Sequence, residues 1–285
     1  MRESEPFHLH ILGSDVRYWV YNDDKPHTIL MVHGFRGTHH GLHDIIRALP
    51  DFKIIVPDLP GFGDSTPMTE QRHDIPGYTK FVTEFVHQMH FTAKPTLLGH
   101  SFGSIVASSV AAQSPELFDK LILVNAIASP PLKGPRKIMS YGAKMYYRAG
   151  AKLPEKAGRK LLSSKTMVQV TSVFLAKTKD KALRKDIHRH HHQHFSSFQT
   201  REALLEAFDA SIDNTATDYA ANIHLPTLLV AGAVDDIAPL KGQLEIEQLL
   251  PDARLVVVQD VGHLIHREAP KEAAEAIREF LSLVA

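Results

Sequence analysis

The sequence predicts an α/β fold, a mostly parallel, doubly wound sheet flanked by helices with a helical cap inserted between two late strands. Three observations predict it. Short, solidly apolar runs recur without polar alternation, as in strands buried on both faces. Helix-period stretches separate those runs, and such alternation builds parallel sheets. From about Ser129 to Thr217 the strand rhythm stops, and it resumes at Leu225.

The opening differs from the rest. Segments 7–12 and 16–21 alternate polar and apolar residues around Gly13-Ser14-Asp15, which reads as an antiparallel hairpin of half-buried strands. The buried strands follow at Thr28–Val32, Lys53–Val56, Pro95–Leu98, Leu121–Val124, Thr227–Ala231 and Leu255–Val258. Helices are expected over 41–49, 78–90, 102–113, 240–250 and 270–284; the last starts at Pro270 and carries Ala273, Ala274, Ile277 and Leu281 at helical spacing.

At 285 residues the chain slightly exceeds the size at which a single hydrophobic core stops growing. We therefore read residues 1–128 and 218–285 as the core and 129–217 as the cap. A hydrophobic fraction of 44% with 22% charged residues excludes disordered and collagenous classes. There is no cysteine, so disulfides, thiolate metal sites and cysteine nucleophiles are excluded. Met1–Pro6 mixes acids with polar residues and lacks the apolar run of a signal peptide, and no stretch is apolar enough for a membrane span. The expectation is a cytoplasmic protein.

The zero net charge conceals an asymmetry. Between Pro130 and Arg201 stand eleven Lys and six Arg against Glu155, Asp180 and Asp186, a balance of +14, which leaves −14 for the remainder. The basic cap has three readings: peripheral contact with an anionic membrane surface, attraction of an anionic substrate, or attraction to its own acidic core. No recognition motif accompanies the charge, so no nucleic-acid partner is expected.

Gly99-His100-Ser101-Phe102-Gly103 joins the strand ending at Leu98 to a helix. That context fits a nucleophile elbow, in which strained backbone pushes the serine hydroxyl outward and small neighbours avoid a clash. With 16 Gly and 17 Ser the pentapeptide arises by chance in roughly one such chain in twenty, so the context carries more weight than the string. A serine hydroxyl needs a histidine base held by a carboxylate. Nineteen histidines make one match uninformative, but His263 follows the buried run Leu255–Val258, at a strand's carboxyl end where open α/β sheets place their sites. Asp235 and Asp236 follow the run Thr227–Val230 in the same way, giving the chain order Ser, Asp, His.

With these segments the sequence resembles the α/β-hydrolase superfamily over nearly its whole length outside the cap. His33-Gly34-Phe35 is similar to that family's oxyanion loop, and Asp58 through Ser65 to its Asp-x-x-Gly-x-Gly-x-Ser stretch. Gly232-x-x-Asp235-x-x-x-Pro239, and Gly262-His263 with Glu268-Ala269-Pro270, match its acid and histidine segments. The resemblance implies a triad of Ser101, Asp235 and His263, and an oxyanion hole made by the backbone N–H groups of Phe35 and Phe102. It favours Asp235 over Asp236, which is left as a solvated residue. It implies no cofactor and no metal.

The expected reaction is cleavage of a small or medium carboxylic ester with an apolar acyl part through an acyl-enzyme. The same triad also serves thioesters, amides, carbon–carbon bonds and peracid formation, and a ligand-binding protein of low turnover on this fold is the rival of another class. Serine at the elbow excludes chemistry that needs a carboxylate nucleophile there. His33 and His100 are assigned to loop geometry. Arg36 has two readings, a solvated surface residue or a bidentate anion contact. The run His188, His190, His191, His192 and His194 reads as a polar cap helix, with metal binding as the alternative. Oligomeric state is left open.

Overall fold

The computed structural model describes residues 5–129 and 137–282. Eight strands form one sheet: β1 (Phe7–Ile11), β2 (Ser14–Tyr21), β3 (Thr28–Val32), β4 (Lys53–Pro57), β5 (Thr96–His100), β6 (Leu121–Val124), β7 (Thr227–Gly232) and β8 (Ala253–Val258). Their spatial order is β1-β2-β4-β3-β5-β6-β7-β8. β1 pairs antiparallel with β2 and β2 with β4, while β4 through β8 run parallel. The mostly parallel sheet predicted from the apolar runs is therefore present.

The hairpin turn sits one residue earlier than expected. Ile11 pairs with Ser14, and the loop is Leu12-Gly13 with φ of 52° and 74°. Two consecutive positive φ values suit the right-handed twist of the flanking strands, and glycine meets that demand without strain. β5 runs on to His100 because Gly99 and His100 continue the ladder against Leu123 and Val124.

Residues alternate between the two faces, and both faces are apolar. Leu30, Val32, Leu97, Leu121, Leu123 and Leu229 enter one core. Ile29, Met31, Leu98, Ile122, Val124, Leu228 and Val230 enter the other. Burial on both sides is why these strands read as continuous hydrophobic runs.

Among the described residues twelve α-helices cover and extend the sheet: α1 (His43–Arg47), α2 (Ile75–Met89), α3 (Phe102–Gln113), α4 (Lys137–Lys152), α5 (Glu155–Leu162), α6 (Lys165–Leu175), α7 (Lys181–His194), α8 (Arg201–Asp213), α9 (Thr217–Ala220), α10 (Leu240–Leu249), α11 (Ile265–Glu268) and α12 (Pro270–Ser282). Capping follows the sequence. Asp74 accepts from the Gly77 amide before α2, Asp180 from Ala182 and Leu183 before α7, and Thr200 from Ala203 before α8. The α1 segment is shorter than expected because a 3-10 turn over His39–Leu42 precedes it. Among the described residues between β6 and β7 every regular element is helical.

The order of strands positions the site. The chain moves from β3 outward to β4, then crosses to β5 on the other side of β3, so the sheet's winding reverses between β3 and β5. Ligands of open α/β sheets bind outside the carboxyl ends of strands at such a reversal. Here those ends lead to His33-Gly34-Phe35 and to Ser101.

Candidate active site

Ser101 occupies the turn between β5 and α3 with φ 54° and ψ −121°. A non-glycine residue in this region carries about 1–3 kcal/mol of strain, which persists only where the surroundings over-determine it. They do so here. A side chain at Gly99 would overlap the Gly103 carbonyl, and one at Gly103 would overlap the Val32 carbonyl, so only glycines let strand, turn and helix approach this closely. Ser101 N–H donates to Val124 O at 3.1 Å, and its carbonyl accepts from the Ser104 N–H at 2.8 Å.

The structure brings Ser101, His263 and Asp235 into one hydrogen-bonded line. His263 Nε2 lies 2.7 Å from Ser101 Oγ, and His263 Nδ1 lies 2.8 Å from Asp235 Oδ2. Burial alone would raise the Asp235 carboxyl; the His263 charge and hydrogen bond, with the Ala238 and Ile237 amides, outweigh it and hold the pKa below the ordinary value. An ionised carboxylate only accepts, so Nδ1 carries the imidazole proton and Nε2 presents its lone pair to the serine hydroxyl. Asp236 turns elsewhere, its Oδ2 2.6 Å from Lys177 Nζ, so the adjacent acids serve different partners.

Two further histidines hold loops. His33 Nδ1–H donates to Gly34 O at 2.9 Å and Nε2 accepts from Leu59 N–H at 2.8 Å, while burial lowers its pKa and keeps the ring neutral. His100 Nε2–H donates to the His263 carbonyl at 3.2 Å, and burial pushes its pKa down to about 3. Gly34 lies against the elbow, where an added Cβ would stand 3.2 Å from Ser101 Cβ. The loop bearing Phe35 therefore abuts Ser101. Phe102 is the first residue of α3, where backbone N–H groups have no intrahelical acceptor.

Sequence reading missed Asn125. It directly follows β6 with φ 47°, fully buried. Its Nδ2 donates to the Gly262 and His263 carbonyls at 3.1 and 2.8 Å, and its Oδ1 accepts from Gly232 N–H at 2.9 Å. One amide side chain thus ties the ends of β6 and β7 to the histidine loop. The one available signal was an asparagine at a strand's carboxyl end, a residue that tolerates left-handed backbone.

A cavity of about 630 Å³ opens over Ser101. Phe35, Leu42 and Phe102 from the core face Met167, Phe174 and Ile212 from the helical segment across it. His190, His191 and His194 also line it, so part of the histidine run faces inward. The same run has polar partners on α6: His188 and His191 share Ser172 Oγ at 2.6 and 2.7 Å.

Arg36 fits neither of its expected readings. It is buried, with φ 57°, and its three nitrogens donate to Phe195 O, Tyr147 Oη and Leu162 O at 2.8, 3.0 and 2.9 Å. The guanidinium also lies over the Phe195 and Phe198 rings. It is a strut between the loop after β3 and three points of the helical segment. Burial was invisible in sequence because its partners lie more than a hundred residues away.

A model of the family described as alpha/beta hydrolase fold matches residues 27–270. The chain is similar to an uncharacterized hydrolase, YugF, of Bacillus subtilis (strain 168), 26% identical over 94% of this chain and 95% of the relative. It is also similar to Lipase 1 of Psychrobacter immobilis, 23% identical over 90% of this chain and 77% of the relative. Among solved structures, an esterase from Exiguobacterium antarcticum matches with a TM-score of 0.79 at 18% identity, covering 98% of this chain and all of the other. A hydrolase from Pseudomonas aeruginosa PA01 matches with a TM-score of 0.77 at 22% identity, covering 97% and 98%. At these identities the structural matches speak to the fold.

Proposed function

The chain belongs to the α/β-hydrolase fold family, and from that premise we propose that it is a serine hydrolase cleaving carboxylic esters through an acyl-enzyme. The observation that carries this reading is the continuous line from Ser101 Oγ through His263 to Asp235, at 2.7 and 2.8 Å. His263 Nε2 takes the hydroxyl proton as Ser101 Oγ attacks the ester carbonyl. The Phe35 and Phe102 N–H groups receive the oxyanion, each such donor contributing about 10²–10³ in rate. Protonated His263 returns the proton to the departing alcohol, and water then repeats the sequence to release the acid. Asp235 fixes the tautomer and stabilises the imidazolium.

The apolar lining of the cavity supports a medium-length apolar acyl group as substrate. Residues 129–217 are the cap in this reading, and their basic surface offers peripheral contact with an anionic membrane. No helix among the described residues is long and apolar enough to cross a membrane. We place its action in the cytoplasm, since nothing in the chain calls for an oxidising compartment.

A fluorophosphonate probe tests the nucleophile: labelling at Ser101 in the wild type, and its loss in Ser101→Ala, is expected. Unlabelled wild-type protein would overturn the reading. A nitrophenyl ester series of varied acyl length tests the substrate class, with turnover expected to rise from acetyl toward medium chains.

A further inference from the structure

Three side chains that the proton relay does not use meet in the cavity wall beside it. His190 comes from α7, while His266 and Arg267 come from α11, which starts two residues after His263. All three line the cavity that Ser101 and His263 also line. His266 is 7% exposed; its ring centroid stands 4.1 Å from that of His100, whose ring is in turn 5.4 Å from His263. Arg267 bears electrostatically on both His190 and His266, which places the three groups together.

Two imidazole nitrogens in this group are unanswered. His190 Nε2 and His266 Nδ1 are buried and find no hydrogen-bond partner among the described residues. Native proteins leave few buried polar atoms in that condition. Their neighbour His191 differs, with Nδ1 2.7 Å from Ser172 Oγ. A neutral imidazole carries its proton on either nitrogen, so both rings can present an N–H to one acceptor.

The acceptor that suits them is an anion. Burial lowers both pKa values first, and Arg267 and the surrounding imidazoles lower them further, so the potential at the two rings is positive. Arg267 is 7% exposed, whereas its ion-pair partners Asp44 and Asp186, at 2.9 and 2.8 Å, are 27% and 40% exposed. Water screens those carboxylates far more than it screens the guanidinium, so the charge felt inside the cavity is that of the arginine.

We propose that His190, His266 and Arg267 form a subsite for a carboxylate of the substrate, so that the ester cleaved here carries a negative charge away from its scissile carbonyl. The subsite deepens the reading of Ser101 as an ester-cleaving nucleophile and rests on it. The two imidazole N–H groups donate to the carboxylate oxygens, and Arg267 stabilises the charge. A neutral ester leaves both nitrogens buried and unanswered, and a site built to hydrogen-bond one substrate rejects the analogue that lacks the group.

The test compares two pairs of esters on the full-length protein. The first is para-butanoyloxybenzoate and its neutral methyl ester, which differ on the alcohol part; the second is the mono-nitrophenyl ester of glutaric acid and nitrophenyl pentanoate, which differ at the acyl end. In one pair the wild type should favour the charged member by about tenfold or more in kcat/KM, through KM, and that pair shows which part bears the charge. His190→Leu and His266→Leu should each cut this preference about tenfold, the loss expected for a hydrogen bond to a charged group. His192→Gln, at an exposed ring that holds Gln169, should keep it. Calorimetric titration of Ser101→Ala with the same esters reads binding without turnover. Tighter binding of a charged ester, lost when His266→Leu is added, upholds the subsite even where no ester is hydrolysed, and the serine reading then fails alone. Circular dichroism identifies a variant that fails to fold, and the other histidine position then decides. No preference for either charged ester in rate or binding, or a preference that survives both histidine changes, overturns the subsite.

Discussion

Asn125 Nδ2 donates to the His263 carbonyl at 2.8 Å, so the end of β6 fixes a loop that leaves β8 two strands away. The side chain touches the backbone that aims the imidazole, and it is a positioning residue. Asn125→Asp replaces a two-hydrogen donor with acceptors facing the Gly262 and His263 carbonyls. We expect a loss of about 1–3 kcal/mol in stability and a fall in kcat with little change in KM. Ester kinetics beside a urea titration check this, and an unchanged kcat would mean that the contact serves stability alone.

The adjacent acids separate by partner, Asp235 bonding His263 and Asp236 bonding Lys177. On the proposed reaction, Asp235→Asn is expected to lower kcat by about 10⁴ through the wrong imidazole tautomer. Asp236→Asn removes a partly exposed pair with Lys177 and should cost less than about fivefold. Steady-state rates for both variants decide the assignment.

Strain at Ser101 has a measurable counterpart. Ser101→Gly permits φ 54° freely and should stabilise the fold by about 1 kcal/mol after glycine's own entropy cost, while abolishing turnover. Ser101→Ala abolishes turnover without that gain. Thermal unfolding of the two variants makes the comparison, and equal melting temperatures would show that the elbow stores little energy.

Neutral histidines, one buried and two partly buried, set the acid limit. Burial pushes His100 down to about 3, His190 to about 2 and His191 to about 4. The unfolded chain takes up these protons near pH 6.5, whereas the folded chain does not. Stability is therefore present above that pH and lost as pH falls from 6.5 toward each folded value. Each group costs about 1.4 kcal/mol per pH unit in that window, or about 2 kcal/mol by pH 5. Urea midpoints at pH 7.5 and 5.0 should drop less in His191→Gln than in the wild type; equal drops would remove His191 from this account.

Arg36→Met should loosen the junction between the core and the helical segment. Two carbonyls and a phenol lose their donor, at about 2–3 kcal/mol. Arg36→Lys offers no planar fork and should rescue little of it. Hydrogen exchange is expected to quicken in α5 and at the end of α7, and uniform protection across the chain would contradict the strut.

What could be read from sequence was whatever local pattern encodes. β3, β5, β6 and β7 announced themselves as apolar runs because both faces are buried, and Gly99 and Gly103 marked the elbow because only small residues fit between β5, α3 and Val32. Asp235 and His263 were legible through their place at strand ends. Asn125 and Arg36 were not, because each depends on partners brought close by the sheet's crossing order. That His190, His191 and His194 of α7 turn toward the cavity was not legible either, because histidines look polar in sequence and what packs over them is decided by the fold.

The link between α6 and α7 hangs from the loops that hold the imidazole and its carboxylate. Glu268 Oε1 accepts the Lys177 and Thr178 amides at 2.7 and 2.8 Å, and Lys177 Nζ reaches Asp236, one residue from Asp235. Leu175 and Phe174, immediately before that link, line the cavity. The wall of the cavity and the segments that carry Asp235 and His263 are therefore one hydrogen-bonded piece, so a substitution at Lys177 or Glu268 reaches both at once.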